Sequence, residues 1–192
     1  MDSYDVIVVG AGNAAMCAAL SAQEAGARVL VLERAPEGDR GGNSAHSGGA
    51  FRTVYDGVDD LKRIVPDLTD SEIAMSDFGT YTREVYFDDC MRLSNWRANA
   101  DLIQVLVDRS LDTMEWMVGK GVRFVPIYGR QAFKIDGRFK FWGGLTVEAV
   151  GGGRGLMDML FTSAAKRGIT VEYGARAVGL SFGEDGVEGV HV

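Results

Sequence analysis

The chain is poor in cysteine and histidine, and each scarcity argues against a class of function. Its two cysteines, Cys17 and Cys90, form no Cys-x-x-Cys pair and suggest no disulfide framework. It has only two histidines, and no group of His, Cys, Asp and Glu has metal-ligand spacing, so we predict no metal site. Ser44 and Ser47 lie outside any nucleophile-elbow pattern, and a hydrolase is therefore not indicated.

Long apolar runs and an excess of positive charge are also missing. A net charge of -7 argues against a nucleic-acid partner, because binding to phosphates needs clustered cations. No uninterrupted apolar run is long enough to cross a membrane. The N-terminal stretch MDSYDVIVVG carries acidic residues where a signal peptide would be basic. We therefore expect a cytoplasmic protein.

Glycine, in contrast, is abundant, and its 26 copies are clustered. The first cluster, Gly10-x-Gly12-x-x-Ala15, follows an apolar run at residues 6–9 and begins a helix of small residues. In such a motif Gly10 permits a tight turn, Gly12 lets the backbone approach a pyrophosphate, and Ala15 allows close packing of helix and strand. The amides and dipole of the helix N-terminus would bind the phosphate charge.

A second apolar run, RVLVL, ends at Glu33, about 20 residues beyond the glycine motif. A carboxylate at this position can accept a hydrogen bond from a ribose 2′-hydroxyl, and it would repel the 2′-phosphate of NADP. Strand, helix and strand form a βαβ unit, which predicts a parallel sheet. The pattern indicates a dinucleotide site and leaves FAD and NAD open.

Farther along the chain, residues 69–72 have the spacing of a capping box, and Asn99 is placed to cap a longer helix. Asp136-Gly137 predicts a β-hairpin between two alternating runs. The triple glycine 151–153 begins another helix, and strands are predicted at ITVEY, at RAVGLSF and after a turn at GEDG. The apolar face of the helix after Asn99 is predicted to include Leu102, Leu106, Met114 and Met117.

The second glycine-rich segment, DRGGNSAHSGGAFR (residues 39–52, the glycine loop), points to FAD. Together with VIVVGAGNAAMCAALSAQEAGARVLVLERAP it resembles the start of the fumarate reductase/succinate dehydrogenase flavoprotein superfamily. Within that superfamily it is most similar to the tricarballylate dehydrogenase branch, close to the flavoprotein half of certain precorrin synthases. The resemblance implies an α/β fold: a Rossmann-like FAD-binding domain with a parallel sheet, added helices and a β-hairpin or meander. We expect residues 1–192 to form one FAD-binding domain, the N-terminal part of a longer chain whose cap domain and C-terminal FAD-binding segment follow.

The resemblance also assigns residues to FAD. The pyrophosphate turn corresponds to Gly10, Gly12, Asn13, Ala14 and Ala15, and the ribose acceptor corresponds to Glu33. The residues that would border the adenosine are Arg34 and Ala35, with the backbone of Ala177 at the adenine. The segment along the ribityl chain corresponds to Gly41, Gly42, Asn43 and Ser44, and the segment at the flavin ring to Ser47, Gly48 and Gly49. Gly42 stands where succinate dehydrogenases carry the histidine that bonds the flavin, so the resemblance implies noncovalent FAD.

The histidine His46, the arginine Arg154 and the three tryptophans each have two possible roles. His46 either contacts a carboxylate substrate, as the catalytic candidate, or is satisfied by neighbouring backbone. Arg154 is better explained as a solvated residue at a helix start than as an anion-steering group. The three tryptophans are interpreted as core or interface anchors: Trp96, Trp116 and Trp142.

The function that the resemblance implies is hydride exchange between flavin and the carbon skeleton of a small anionic carboxylate. A tricarballylate-like acid is the first candidate and an anionic tetrapyrrole precursor the second. Electrons would pass to a redox partner protein or a quinone. Two other hypotheses stay open: a cofactor-binding module with no turnover of its own, and an NAD-binding dehydrogenase domain.

Overall fold

The computed structural model describes residues 3–144, 147–184 and 186–192. In chain order its strands are β1 Val6–Val9, β2 Val29–Glu33, β3 Ala50–Phe51, β4 Tyr55–Asp56, β5 Ser76–Asp77, β6 Thr80–Tyr81, β7 Phe124–Pro126, β8 Ala132–Ile135, β9 Arg138–Phe141, β10 Val147–Ala149, β11 Thr170–Tyr173, β12 Gly179–Gly183 and β13 Gly186–His191. Its α-helices are α1 Asn13–Glu24, α2 Gly42–Ala45, α3 Val58–Ile64, α4 Asp70–Met75, α5 Arg83–Leu93, α6 Ala100–Gly119, α7 Tyr128–Gln131 and α8 Gly152–Lys166. A short 3₁₀ helix spans Glu37–Asp39.

The chain divides into two compact units. Unit 1 comprises residues 1–47 and 153–192, and unit 2 comprises residues 48–152. The family resemblance predicts a single FAD-binding domain over 1–192, and that domain assignment stays a prediction.

Unit 1 is built on a parallel sheet in the order β1-β2-β11. Val6 pairs with Val29, and Thr170 pairs with Leu30 on the other side of β2. The central strand is buried along its whole length, which explains its continuous apolar sequence. The predicted βαβ unit and the α/β fold class are confirmed.

The two long helices of unit 1 bury apolar residues at helical spacing. Helix α1 buries Met16, Ala19 and Leu20, and the small residues around them permit close helix–sheet packing. Helix α8 buries one continuous face of seven residues: Gly153, Leu156, Met157, Leu160, Phe161, Ser163 and Ala164. The chain then forms the antiparallel hairpin β12–β13.

The strand predicted at RAVGLSF was placed too early, because β12 begins at Gly179 and not at Arg176. In the preceding segment, the amides of Gly174 and Ala175 donate to the carbonyls of Ala35 and Glu33. These hydrogen bonds keep the chain after β11 beside the end of β2 and out of a regular strand. The turn predicted at residues 183–186 includes residue 185, which lies outside the described residues.

The described residues of unit 2 form three small sheets and the helices α3 to α7. The sheets have the orders β3-β10-β7, β4-β6 and β5-β9-β8. The capping box at the start of α4 is confirmed, since Thr69 and Glu72 exchange side-chain and backbone hydrogen bonds. The cap on α6 is also confirmed, because the Asn99 side chain accepts from the Leu102 amide at 3.1 Å.

The hairpin predicted at residues 136–137 is confirmed as β8–β9, with Ile135 paired to Arg138. Asp136 and Gly137 both have positive φ, at 50° and 82°. Two successive residues with positive φ form the turn that matches the twist of a two-residue hairpin, and Asp-Gly is a preferred sequence for it.

One prediction about burial was wrong. Leu102 and Leu106 are not buried but are 68% and 48% exposed. The buried residues of α6 are Val107, Ser110, Leu111, Met114 and Met117, all in its second part, whereas residues 100–106 are mostly exposed because their side of the helix is not covered by another described element. Of the three tryptophans, Trp96 and Trp142 are 67% and 54% exposed, which leaves the interface interpretation as the prediction for these two, and Trp116 is half-buried.

None of the described helices is both long enough and apolar enough to cross a membrane.

The cap on α6 can be tested by replacement. We expect Asn99→Ala to lower the free energy of unfolding by about 1 kcal/mol, because the amide of Leu102 loses its acceptor. Urea denaturation followed by circular dichroism measures the change. The control Asn99→Asp retains an acceptor at the same position and should stay close to the unmodified chain. Equal stabilities of the Ala and Asp variants would contradict a capping role.

Candidate cofactor site

The N-terminus of α1 presents backbone amides that the described part of the chain does not use. No described residue accepts a hydrogen bond from the amides of Gly12, Ala14 or Ala15. The N-cap is Gly12, which has an extended backbone and supplies no side-chain cap. Unused amides at the positive end of a helix form a binding site for an anionic group such as a pyrophosphate.

The remaining first-turn amide is tied to the glycine loop. The Asn13 amide donates to Ser44 Oγ at 3.1 Å. A Cβ placed on Gly12 would come within 3.4 Å of the same Ser44 oxygen. Two of the predicted FAD-binding segments, residues 10–15 and 41–44, are therefore brought together in unit 1, with Gly12 giving the room between them.

Glu33 is buried at the end of β2, and both of its carboxylate oxygens accept backbone hydrogen bonds. Oε2 accepts from the Ala11 amide at 2.9 Å, and Oε1 accepts from the Ala35 amide at 2.8 Å. The Gly10 amide donates to the Leu32 carbonyl at 2.7 Å, which joins the same two segments a second time. Each carboxylate oxygen keeps a further lone pair that a ribose hydroxyl can use.

A residue that sequence reasoning missed as part of this site is Gly153, in the first turn of α8. Its amide donates to the Ser47 carbonyl at 3.0 Å. A Cβ at Gly153 would press against the Ser44 carbonyl oxygen and lie 2.6 Å from the Ser47 carbonyl oxygen. The first turn of α8 thus packs against the carbonyl groups of residues 44 and 47, at and just beyond the C-terminus of α2. The only sequence signal was the triple glycine, which indicated a helix start and nothing about its neighbour.

In unit 2 the second half of the glycine loop has close neighbours of its own. A Cβ at Gly49 would lie 2.5 Å from the carbonyl carbon of Gly152. A Cβ at Gly48 would lie 2.9 Å from Arg130 Nη1, and the Arg130 guanidinium is ion-paired with Glu148. Packing within the protein is therefore sufficient to account for glycine at Gly49, where the neighbour is backbone, whereas the neighbour of Gly48 is the movable end of an arginine side chain. The predicted contact of both glycines with the flavin ring stays a prediction.

The other predicted residues lie on the surface or at its edge. Arg34, Gly42, Asn43, His46 and Arg154 are exposed, while Ala35 and Ala177 are half-buried. His46 follows directly after α2 as its C-cap. The hydrogen bonds from residues 174 and 175 to the end of β2 bring the segment before Ala177 beside Glu33 and Ala35.

Comparison with known proteins agrees with this geometry. A family model described as FAD binding domain matches residues 5–192. The chain belongs to this FAD-binding domain family. FAD is therefore its cofactor, and the NAD-binding hypothesis is set aside.

Relatives of this FAD-binding domain include whole flavoprotein oxidoreductases. The chain is 27% identical over 177 residues to the fumarate reductase (cytochrome) of Shewanella frigidimarina, covering 92% of this chain and 27% of that protein. It superposes on an open-conformation flavocytochrome c3 fumarate reductase with a TM-score of 0.68 and 26% identity, covering 95% of this chain and 28% of that one. A 3-ketosteroid-Δ4-(5α)-dehydrogenase from Rhodococcus jostii RHA1 shares the fold, with a TM-score of 0.71, 24% identity, and coverage of 97% and 41%.

The chain spans about a quarter of the length of the curated fumarate reductases that it matches. The resemblance to the fumarate reductase/succinate dehydrogenase superfamily is confirmed at the level of the FAD-binding domain. The relatives do not single out the tricarballylate branch.

The close contacts of Gly153 predict that adding a single methyl group at this position has a strong effect on FAD binding or stability. We expect Gly153→Ala to reduce FAD affinity by at least about tenfold or to destabilise unit 1, because the added carbon meets the carbonyls of Ser44 and Ser47. FAD titration monitored by quenching of flavin fluorescence measures the affinity, and thermal unfolding measures the stability. The control is Gly38→Ala, where a Cβ meets nothing within 4 Å. Identical behaviour of the two variants would refute the supporting role of Gly153.

Helix α1 also carries a cysteine whose reactivity can be predicted. Burial raises the pKa of Cys17 to about 11, and its thiol donates weakly to Asn13 Oδ1 at 3.6 Å. At pH 8 only about one thiol in a thousand is then ionised, so iodoacetamide should alkylate Cys17 much more slowly in the folded chain than in urea. Mass spectrometry of a Cys90→Ser variant isolates the signal. Equal rates in both conditions would show that the thiol is not protected.

Proposed function

We propose that this chain is the FAD-binding portion of a flavoprotein oxidoreductase that acts on a CH–CH bond of a small carboxylate substrate. The observation that carries the proposal is the set of unused amides at the N-terminus of α1, beside a buried carboxylate that retains free lone pairs. This pair of features suits a pyrophosphate next to a ribose hydroxyl. The match of the family model over residues 5–192 supports the same conclusion.

The residues present fit FAD, with one group of residues for each part of the cofactor. The amides of residues 12, 14 and 15 would bind the pyrophosphate, Glu33 would accept from the ribose, and Arg34, Ala35 and Ala177 would border the adenosine. Asn43 and Ser44 would contact the ribityl chain, and residues 47–49 the flavin ring. When bound, FAD supplies hydride exchange with a carbon skeleton, and the protein contributes binding and orientation. Because Gly42 offers no side chain for a covalent bond, we propose that the FAD is held noncovalently.

The substrate class rests on the relatives. Several of them are fumarate reductases, and a structural neighbour is a 3-ketosteroid dehydrogenase. We propose a dicarboxylate or tricarboxylate such as fumarate, succinate or tricarballylate, with His46 as the candidate to contact a substrate carboxylate from the exposed end of α2. One relative is a fumarate reductase (cytochrome) and one structural neighbour is a complex with UQ1, so we propose a redox protein or a quinone as the electron partner. From the acidic N-terminal stretch we propose a cytoplasmic location.

Two narrower alternatives keep the same FAD site. The first is a cofactor-binding module that has no turnover without the remainder of a longer protein. The second is the flavoprotein part of a precorrin-synthase-like enzyme that takes an anionic tetrapyrrole. The first alternative predicts FAD binding with no reduction of fumarate by reduced flavin. The second predicts tighter binding of a polycarboxylate tetrapyrrole than of tricarballylate.

The FAD proposal can be tested on the purified chain. We expect visible flavin absorption near a one-to-one ratio after gel filtration, and release of the flavin into the supernatant on acid precipitation because it is noncovalent. Glu33→Gln should weaken FAD binding about tenfold, since a glutamine cannot accept from both Ala11 and Ala35. The exposed Glu37→Gln is the matched control. A folded chain that binds NAD and not FAD would refute the proposal.

A further inference from the structure

Arg52, the last residue of the glycine loop, belongs to a polar cluster in unit 2 that no part of the FAD site uses. Its Nη1 donates to the Tyr81 hydroxyl at 2.7 Å and to Asp89 Oδ2 at 3.3 Å. The Tyr81 hydroxyl itself donates to the same Asp89 oxygen at 2.7 Å. One nitrogen of the guanidinium is therefore fixed from two sides.

The groups that hold Arg52 are themselves held in place. A Cβ at Gly144 would collide with the ring of Tyr81, so the backbone there lies directly against that ring, which also packs on Tyr86 at 5.3 Å between centroids. Burial and the hydrogen bond to Asp89 raise the pKa of Tyr81 to about 12, which keeps its hydroxyl proton at physiological pH. Hydrogen bonds from Arg92 and Tyr81 lower the pKa of Asp89, which keeps it ionised.

The opposite edge of the guanidinium has no hydrogen-bond partner within the described part of the chain. Among the residues that the structure describes, none accepts from Nε or Nη2 of Arg52, and the side chain is about one-third exposed. These two nitrogens form the fork that binds a carboxylate through two parallel hydrogen bonds. Arg52 also follows Gly49, which the family resemblance assigns to the flavin ring, by only three residues.

We propose that Arg52 binds a carboxylate group of the substrate through its Nε and Nη2, and that Tyr81 and Asp89 are positioning residues that fix the guanidinium for this contact. This inference rests on the proposed carboxylate chemistry and adds the residue that recognises it. The charge of the cluster favours an anion, because Asp89 is shared between Arg52 and Arg92 and the three groups carry one net positive charge.

The test titrates the complete chain, with and without FAD, with tricarballylate and follows binding by calorimetry. Trimethyl tricarballylate, which has no ionised carboxylate, is the uncharged control ligand and should not bind. We expect Arg52→Gln to weaken tricarballylate binding at least about tenfold. Arg52→Lys keeps a cation beside Asp89 but lacks the fork, and it should fold normally and still bind about tenfold more weakly.

Arg123→Gln is the matched control variant, because Arg123 is 68% exposed in unit 2 and pairs with Asp67, which is outside the cluster of Arg52, Tyr81, Asp89 and Arg92. It should bind tricarballylate as the unmodified chain does. For the positioning role, Tyr81→Phe should increase the mobility of the Arg52 Nε–H in ¹⁵N relaxation while FAD absorption stays constant. A merely structural tyrosine would leave that signal unchanged.

The outcomes separate the two proposals. Three outcomes would overturn the role of Arg52 and leave the FAD proposal intact. The chain could bind FAD but not tricarballylate, Arg52→Lys could bind tricarballylate as tightly as the unmodified chain, or the trimethyl ester could bind as tightly as tricarballylate. Loss of FAD binding with tricarballylate binding that still depends on Arg52 would overturn the FAD proposal alone.

Discussion

The carboxylate of Glu33 is the interaction on which the candidate site depends. It is a buried charge, and a buried charge is tolerated only where it is paired or hydrogen-bonded. Here it accepts from Ala11 in the glycine turn and from Ala35 just beyond β2. The same acid therefore fixes the direction in which the chain enters α1 and leaves the sheet. The hydrogen bonds to Glu33 fix the glycine turn that precedes α1, and that turn fixes the orientation of the free amides at the start of the helix.

Glycine serves two separate purposes in this chain. At Gly12 the missing side chain leaves room beside the amides that suit a pyrophosphate, with Ser44 on the far side. At Gly49 and Gly153 the space is filled by the protein's own backbone. A glycine-rich segment that resembles a cofactor-binding loop thus contains residues whose first requirement is packing. Only substitution combined with a binding measurement separates the two purposes at each position.

Most of what the sequence predicted correctly depends on short-range rules. The capping box at Thr69, the cap at Asn99, the Asp136-Gly137 turn and the βαβ unit involve residues close in the chain, and local geometry decides them. The burial of Leu102 and Leu106 was predicted wrongly, because burial is decided by which distant element covers a face. For the same reason the contact of Gly153 with the carbonyls of Ser44 and Ser47 left no readable pattern, whereas the motif assigned residues 10–15 and Glu33 to one dinucleotide site without predicting the hydrogen bond between Ala11 and Glu33.

The close approach of Gly49 and Gly152 limits how this chain can change. In most packed contacts a larger residue on one side can be accommodated by a smaller one on the other. Here both partners already have the smallest side chain that exists, so no exchange at either position can relieve an enlargement at the other. Accommodation would have to come from displacement of the backbone, and that backbone includes the pairing of Gly49 with Ala149 through the hydrogen bond from the Ala149 amide to the Gly49 carbonyl. The two positions are therefore coupled to each other and to the pairing of β3 with β10, and they should tolerate substitution less than the exposed Gly42 and Gly48.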